Sequence, residues 1–383
     1  MRVALFTDGI APYVLGGMQR HSYFIAKYLA LNKIEVDLYH TNQSNLPINE
    51  LAVFTPEEKK YIRSFVIPFP PPGKLPGHYL RRSYHYSKLI YETYIKQPPV
   101  DFIYTKGFTG WYLLKQRKNH QLNTPPIGVK FHGMNMFQKV PNFKSYLEAL
   151  MFKPPVRFIL NNSDYVFSYG GKITDITMRV GVPRSKIIDI PTGITADWLN
   201  TPNTVKQPLQ FIYIGRYERL KGIEELCEAI KQLNYLPFEF HFVGPIPNEK
   251  KINKPNVFYH GSVRDGEQIK KYLDASDVLV CPSYSEGMPN VIIEAMSRGL
   301  AIIATDVGAT NFLVNDKNGW LIPTCSISLI KSAITSAINC NSSELMQKKI
   351  HSFEFIKNNL LWDNIANKLI NFLYQATGLE KRE

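Results

Sequence analysis

At 383 residues, with 44% hydrophobic side chains, the chain is long enough for two globular domains of ordinary size. It nowhere runs about 18 apolar residues in succession, which excludes a helical membrane span, and its four cysteines, Cys227, Cys281, Cys325 and Cys340, lack the CxxC spacing of a zinc site or disulfide framework and fit a reducing cytosol. The formal net charge of +13 is uneven, because residues 1–200 hold 25 basic against 13 acidic side chains while residues 201–383 hold 20 against 19.

The opening MRVALFTDGI reads as a strand at 3–8 that stops at a turn, rather than as the long apolar core of a signal peptide. Further strands are expected at 36–40, 102–106, 127–132 and 165–169, with helical stretches at 19–30 and 146–152. Between them, 68–83 (PFPPPGKLPGHYLRRS) reads as a proline-rich, insertion-like loop. The stretch 51–158 carries 17 basic and 5 acidic residues threaded with Tyr79, Tyr84, Tyr86, Tyr91, Tyr94, Trp111 and Tyr112. Such a surface suits an anionic partner, either a membrane leaflet or nucleic acid. No helix-turn-helix, RRM, KH or zinc-finger signature accompanies it, which argues against nucleic acid.

Residues 192–208 are rich in turn formers and poor in periodicity, as a connector would be. Beyond them strands at 209–215, 238–244, 257–261, 277–281 and 301–305 alternate with helices at 223–232 and 267–275. The alternation predicts an α/β protein of two doubly wound, Rossmann-like domains, at 1–195 and 196–354, with ligands in the cleft between them. Residues 353–374 have helical periodicity, with Phe355, Trp362, Ile365 and Leu369 on one apolar stripe.

Two segments of the second half carry the chemistry. The strand at 209–215 ends in Gly215-Arg216, followed by Lys221-Gly222 and a helix. Gly215 permits a tight turn, and Arg216 and Lys221 would bring two cations to the strand's carboxyl end, where a nucleotide diphosphate is the natural occupant. The stretch 283–299, SYSEGMPNVIIEAMSRG, follows the strand at 277–281. Gly287, Met288, Pro289 and Asn290 delay helix formation until Val291, so Glu286 lies in a loop and Glu294 about one turn into a helix. One carboxylate therefore sits beside free backbone N–H groups suited to an anion, and the other is near enough to grip hydroxyls. In the first half, His132 closes its strand before the permissive Gly133. His21, Asp8 and Arg20 flank the same cleft as lesser candidates, assigned to an acceptor.

Taken together, GRYERLKG, PSYSEGMPNVIIEAMSRGLAIIATDVG and NGWLIP resemble the retaining family 4 glycosyltransferases of the GT-B fold, and Gly16-Gly17, His132-Gly133 and the IPTGI turn extend the likeness over nearly the whole chain. The resemblance implies that Arg216 and Lys221 bind the donor diphosphate, Glu294 the ribose hydroxyls, and Glu286 with Gly287, Met288, Pro289 and Asn290 the transferred sugar. It implies that Gly16 and Gly17 bring the N-terminal loop to the phosphates and the acceptor, and that His132 contacts the donor sugar near the breaking bond. It further implies that a C-terminal helix at about 355–383 packs back on the first domain. One departure is Phe312, which stands where the family often has an acidic residue and is expected to reshape the loop near the nucleotide.

The expected reaction moves a sugar from a UDP- or GDP-sugar to a hydroxyl of a glycan or lipid-linked acceptor, with retention, in bacterial surface polysaccharide or lipopolysaccharide synthesis. The departing phosphate would take the hydroxyl proton. No cofactor is implied, and with no Asp-x-Asp in the chain no metal-clamped diphosphate is suggested. The basic first half suggests peripheral contact with the cytoplasmic face of a membrane. Two rivals use the same features differently. A GT-B sugar-nucleotide epimerase keeps the cleft but needs acid–base carboxylates around the sugar, and a non-catalytic membrane or nucleic-acid binder would not need Arg216, Lys221, Glu286 and Glu294 together.

Overall fold

The computed structural model describes residues 1–14, 16–42, 53–73, 77–140, 142–233 and 236–381. Seven strands form the first sheet: β1 (Arg2–Phe6), β2 (Glu35–His40), β3 (Ile62–Val66), β4 (Phe102–Lys106), β5 (Ile127–Lys130), β6 (Tyr165–Ser168) and β7 (Ile187–Asp189). Six form the second: β8 (Leu209–Ile214), β9 (Phe238–Val243), β10 (Val257–Tyr259), β11 (Val278–Cys281), β12 (Ala301–Thr305) and β13 (Gly319–Ile322). Their orders are β3-β2-β1-β4-β5-β6-β7 and β10-β9-β8-β11-β12-β13, and every pairing is parallel. Chain direction across each sheet reverses at β1/β4 and at β8/β11. Those two switch points are where open parallel sheets leave a crevice at their carboxyl edges.

Continuous apolar runs such as VALF in β1, VLVC in β11 and AIIAT in β12 are buried on both faces. In the second sheet Phe211, Val278, Val280 and Ile303 point into a core of that domain alone. Ile212, Leu279 and Ile302 point into a core that runs on through Met288, Ile292 and Trp362 to the first sheet. One face of the second domain is thus packed continuously with the first.

The strands at 102–106 and 301–305 match expectation end to end, and the other expected strands differ at their ends by one or two residues. Strands β3, β7 and β13 lie outside the expected set, and three expected features differ more. Residues 78–83, read as part of a loop, open the helix His78–Tyr94, whose buried positions Ser83, Tyr86, Ser87 and Ile90 have helical spacing but little apolar character. The helix expected to stop at 152, before Pro154-Pro155, spans Phe143–Asn162 and carries both prolines inside it.

The third concerns the periodic stretch 353–374, which is two helices, Ser342–Asn359 and Trp362–Thr377. At the break, the Ile194 N–H donates to the Leu360 carbonyl at 2.8 Å and the Trp362 N–H donates to the Ile194 carbonyl at 3.0 Å. Backbone groups spent on this crossing cannot close a helical ladder. Trp362 is buried and stacks on Phe24 at 5.0 Å, and Phe372 meets the rings of Phe102, Tyr165 and Phe167. The last helix therefore belongs to the layer over the first sheet.

Candidate functional site

Both switch points face one cleft. From the second domain, the loop after β11 presents Glu286, whose Oε1 accepts from Lys221 Nζ at 2.6 Å and from Ser283 Oγ at 2.7 Å. Burial alone would lower the Lys221 pKa, but the Glu286 carboxylate holds it above its ordinary value. Arg216 differs from Lys221: its side chain is 72% exposed and, among the described residues, pairs with Glu218 alone, at 2.9 Å. Gly215 lies beside Gly244, where a Cβ would fall 1.9 Å from the Gly215 carbonyl oxygen.

Across the cleft, residues from the first domain grip this loop and the adjacent one after β12. Gln138 donates from Nε2 to the Glu286 carbonyl at 2.7 Å, while its Oε1 accepts from the Gly308 N–H at 3.1 Å. Ser285 Oγ donates to Asn135 Oδ1 at 2.8 Å, and Lys172 Nζ meets Asp306 at 2.8 Å. A Cβ on Gly287 would lie 1.7 Å from the His132 carbonyl oxygen, so only glycine lets the two backbones approach this closely. Met288 is buried, with its sulfur 3.3 Å from the Thr192 N–H. The following helix, Asn290–Ser297, starts one residue earlier than expected, with Pro289 at its N-cap. Gly17 opens the helix Gly17–Leu31, after Gly16 at the N-cap, and a Cβ there would meet His132 Nε2 at 2.6 Å and Asn290 Nδ2 at 3.3 Å.

His132 is half-buried, and its Nδ1 lies 2.5 Å from the Tyr169 hydroxyl. Burial, with Lys106, Lys130 and Lys221 nearby, lowers its pKa to about 3. Ordinary histidine titrates near 6.5, so the folded protein holds this ring neutral where the unfolded chain would take a proton. Its contribution to stability is present above pH ~6.5 and declines as pH falls toward about 3. Nuclear magnetic resonance of the ring nitrogens should show no His132 titration between about pH 5 and 8, and a midpoint near 6.5 would contradict this placement.

Lys106 and Lys130 were not singled out from the sequence, although each closes an otherwise apolar strand. Both are buried. Lys106 Nζ lies 2.8 Å from His21 Nδ1, and burial, opposed by Asp8, lowers its pKa to about 7. Lys130 Nζ donates to the Ile190 carbonyl and lies 3.9 Å from the Tyr169 ring centroid. Burial raises Asp8 to about 6 despite the bond it accepts from Gln19 at 2.9 Å. Asp8, Lys106 and His132 line one cavity of about 380 Å³ whose walls include Phe69, Tyr79, Phe108 and Phe131. A wider groove of about 1020 Å³ by Trp320 and Thr335 holds none of these residues.

The acceptor candidates separate. Asp8 lines that cavity; Arg20 and His21 do not. Arg20 Nη1 donates to Glu294 Oε1 at 2.6 Å, tying the expected ribose ligand to the first domain, and burial raises the Glu294 pKa despite this partner. His21 is 1% exposed, with its Nε2 unpartnered, beside Trp362. Phe312, at the departure from the family pattern, sits edge-on to Phe355 at 5.8 Å and against Gly170.

Two family models match adjacent stretches that together make up most of the chain: glycosyltransferase family 4 at residues 15–198 and glycosyl transferases group 1 at residues 208–339. The chain is 40% identical over 124 residues, 32% of its length, to the putative teichuronic acid biosynthesis glycosyltransferase TuaC of Bacillus subtilis. It is 34% identical over 182 residues, 41% of its length, to an Escherichia coli UDP-Gal:alpha-D-GlcNAc-diphosphoundecaprenol alpha-1,3-galactosyltransferase. The matches span 31% and 46% of those proteins. Sucrose-phosphate synthase from Thermosynechococcus elongatus has the same fold, with a TM-score of 0.78 at 20% identity over 98% of this chain and 99% of that one.

Proposed function

Since the chain belongs to the family 4, group 1 glycosyltransferases, we propose that it transfers a sugar from a nucleoside diphosphate donor to an acceptor hydroxyl, with retention and without a metal, in making a bacterial surface polysaccharide. The observation that carries this reading is the Lys221–Glu286 pair at the β8/β11 switch point, set opposite His132 and Gly17 of the first domain. Residues 196–354 are taken as the donor side, and residues 1–195 with the C-terminal helix as the acceptor side.

In this reading the anomeric carbon–oxygen bond to the diphosphate breaks and the acceptor oxygen bonds from the same face, its proton passing to a departing phosphate oxygen. Lys221 and Arg216 stabilise the charge gathering on the diphosphate. Glu286 and the backbone from Gly287 to Asn290 hold the sugar, and Glu294 the ribose. His132, neutral and fixed by Tyr169, offers a hydrogen bond near the breaking bond without adding a like charge to the cations around it. Asp8 and the aromatic walls of the 380 Å³ cavity suit the hydroxyls and ring faces of an acceptor sugar.

The relative acting on UDP-galactose and a diphosphoundecaprenol-linked acceptor supports a UDP-sugar donor and a lipid-linked acceptor. No helix among the described residues is long and apolar enough to cross a membrane. The basic first half supports peripheral contact with an anionic leaflet, on its cytoplasmic face.

A panel of UDP-, GDP- and ADP-sugars, scored for nucleotide release with and without EDTA, tests the proposal. Release on adding acceptor, unchanged by EDTA, is expected. No release with any donor and lipid-linked acceptor would favour a non-catalytic binder, and conversion of the sugar without release would favour an epimerase.

Gln138 has a positioning role in this scheme, since one end of its amide holds the Glu286 carbonyl and the other the Gly308 N–H of the adjacent loop after β12. Gln138→Ala should lower kcat about 10-fold, the order expected for two lost hydrogen bonds, with little change in nucleotide affinity or melting temperature. Gln138→Glu keeps the acceptor for Gly308 but not the donor for the Glu286 carbonyl, so it should not rescue. An unchanged kcat in the alanine variant would remove Gln138 from the mechanism.

A further inference from the structure

Along the helix Phe143–Asn162, the side chains Phe143, Tyr146, Leu147, Leu150 and Met151 are 73%, 46%, 48%, 41% and 42% exposed. Elsewhere among the described residues, large exposed apolar side chains stand singly. At about 100° per residue these five occupy an arc of roughly 140° on one side of the helix. The opposite side, with Ser145, Glu148, Ala149 and Phe152, lines the 380 Å³ cavity next to Asp8 and His132. The helix is therefore a wall with an apolar outer face and an inner face on the candidate acceptor site.

Basic residues frame the outer face. Lys144 and Lys153 fall on its two flanks, and Arg157 continues it. None of these three is in an ion pair with a carboxylate among the described residues. An apolar stripe with cations along both margins is the pattern of a helix lying in a lipid interface. Its charge complements anionic headgroups. A two-fold contact with a second copy would instead press the same cations together.

We infer that the outer face of the helix Phe143–Asn162 seats the protein on an anionic lipid leaflet, an inference that rests on the reading above in taking the acceptor to be lipid-linked. The apolar side chains enter the headgroup–acyl boundary while Lys144, Lys153 and Arg157 meet lipid phosphates. The cavity behind the helix then lies about one helix diameter, ~10 Å, from the leaflet. That spacing lets the sugar end of an acceptor reach Asp8 and His132 while its hydrocarbon chain stays in the bilayer.

Co-sedimentation of the full chain with phosphatidylcholine vesicles, with and without phosphatidylglycerol, tests this. Binding is expected only when phosphatidylglycerol is present. The variant Phe143→Ser/Leu147→Ser/Leu150→Ser, altered only at exposed positions, should weaken it at least ~10-fold. Each of Lys144→Gln, Lys153→Gln and Arg157→Gln should weaken it about 5-fold. Equal binding to both vesicle types, or full binding by the serine variant, overturns the inference. So does a wild-type dimer in solution that the serine variant dissociates while neither binds vesicles, which would assign the face to a second copy. Vesicle binding is measured without donor, and nucleotide release with a water-soluble acceptor is measured without vesicles. Failure of docking and failure of the transferase reading are thus seen separately.

Discussion

Lys221→Ala is expected to lower kcat by 10²–10³, the order lost when one fixed electrostatic donor is removed from a site where charge develops. The structure gives reasons to expect more from Lys221 than from Arg216. Its ammonium is held 2.6 Å from Glu286 Oε1, and Ser283 Oγ donates to the same oxygen, so it needs little reorganisation when a diphosphate arrives. Arg216 is 72% exposed and pairs with Glu218, so reaching the same phosphate means ordering a long side chain out of water. Arg216→Ala should therefore cost only about 10-fold, mostly in donor KM.

The partner carboxylate gives the complementary test. Glu286→Gln should impair turnover with modest change in nucleotide affinity, because its sugar contact acts on the transferred group and its hold on Lys221 acts on charge that gathers on the diphosphate as the bond breaks. Glu294→Ala should act on affinity for the nucleotide instead, and should also release Arg20 from its 2.6 Å bond across the cleft. Single-turnover rates and nucleotide titrations on the four variants separate these effects. A Lys221→Ala enzyme within ~3-fold of wild-type kcat would sink the electrostatic role. Loss of nucleotide affinity in Glu286→Gln but not in Glu294→Ala would mean that the two carboxylates have each other's roles.

The sequence reveals positions along strands better than it reveals pairs. Arg216 and Glu286 follow short apolar runs, and His132 ends one, so their places near carboxyl edges can be read from periodicity and turn residues. That Lys221 would be spent on Glu286 depends on β8 and β11 lying side by side, and that Arg20 would be spent on Glu294 depends on a distance between domains; no local pattern carries either. Gln138 is invisible for the same reason: it follows the short 3₁₀ turn Asn135–Phe137 and matters only through the Glu286 carbonyl and Gly308. Lys106 and Lys130 did leave a signal, a basic residue closing an apolar strand. The helix His78–Tyr94 is obscured because its buried face is built partly of serine and tyrosine. Periodicity also ran through the break at Leu360–Leu361, since Trp362 and Ile365 remain apolar after the chain has changed domains.

Before that break, the helix Ser342–Asn359 is fixed to the second domain by a buried ion pair, and the effect of removing it should be large. Lys349 is 1% exposed and Asp277 is wholly buried, with Nζ 2.8 Å from Oδ1. The other oxygen, Oδ2, accepts from the Lys206 and Gln210 N–H groups at 3.3 and 3.2 Å, where the connector enters β8. Asp277 thus ties together the start of β11, the connector and the C-terminal helix. Lys349→Met leaves a carboxylate in the interior with two weak amide donors and only the Lys206 ammonium, which it does not bond, as counter-charge, and should destabilise by about 3 kcal/mol. Adding Asp277→Asn removes the poorly compensated charge while keeping an acceptor for the backbone, so the double variant should recover much of the loss. Urea unfolding of the wild type, both single variants and the double variant closes the cycle. If Lys349→Met alone falls within ~1 kcal/mol of wild type, the pair is no structural tie, and the crossing at Leu360–Trp362 must depend on Trp362 packing and the two backbone bonds to Ile194. A large single cost with strong recovery would show instead that the chain's return to the first domain begins from a position set at Asp277.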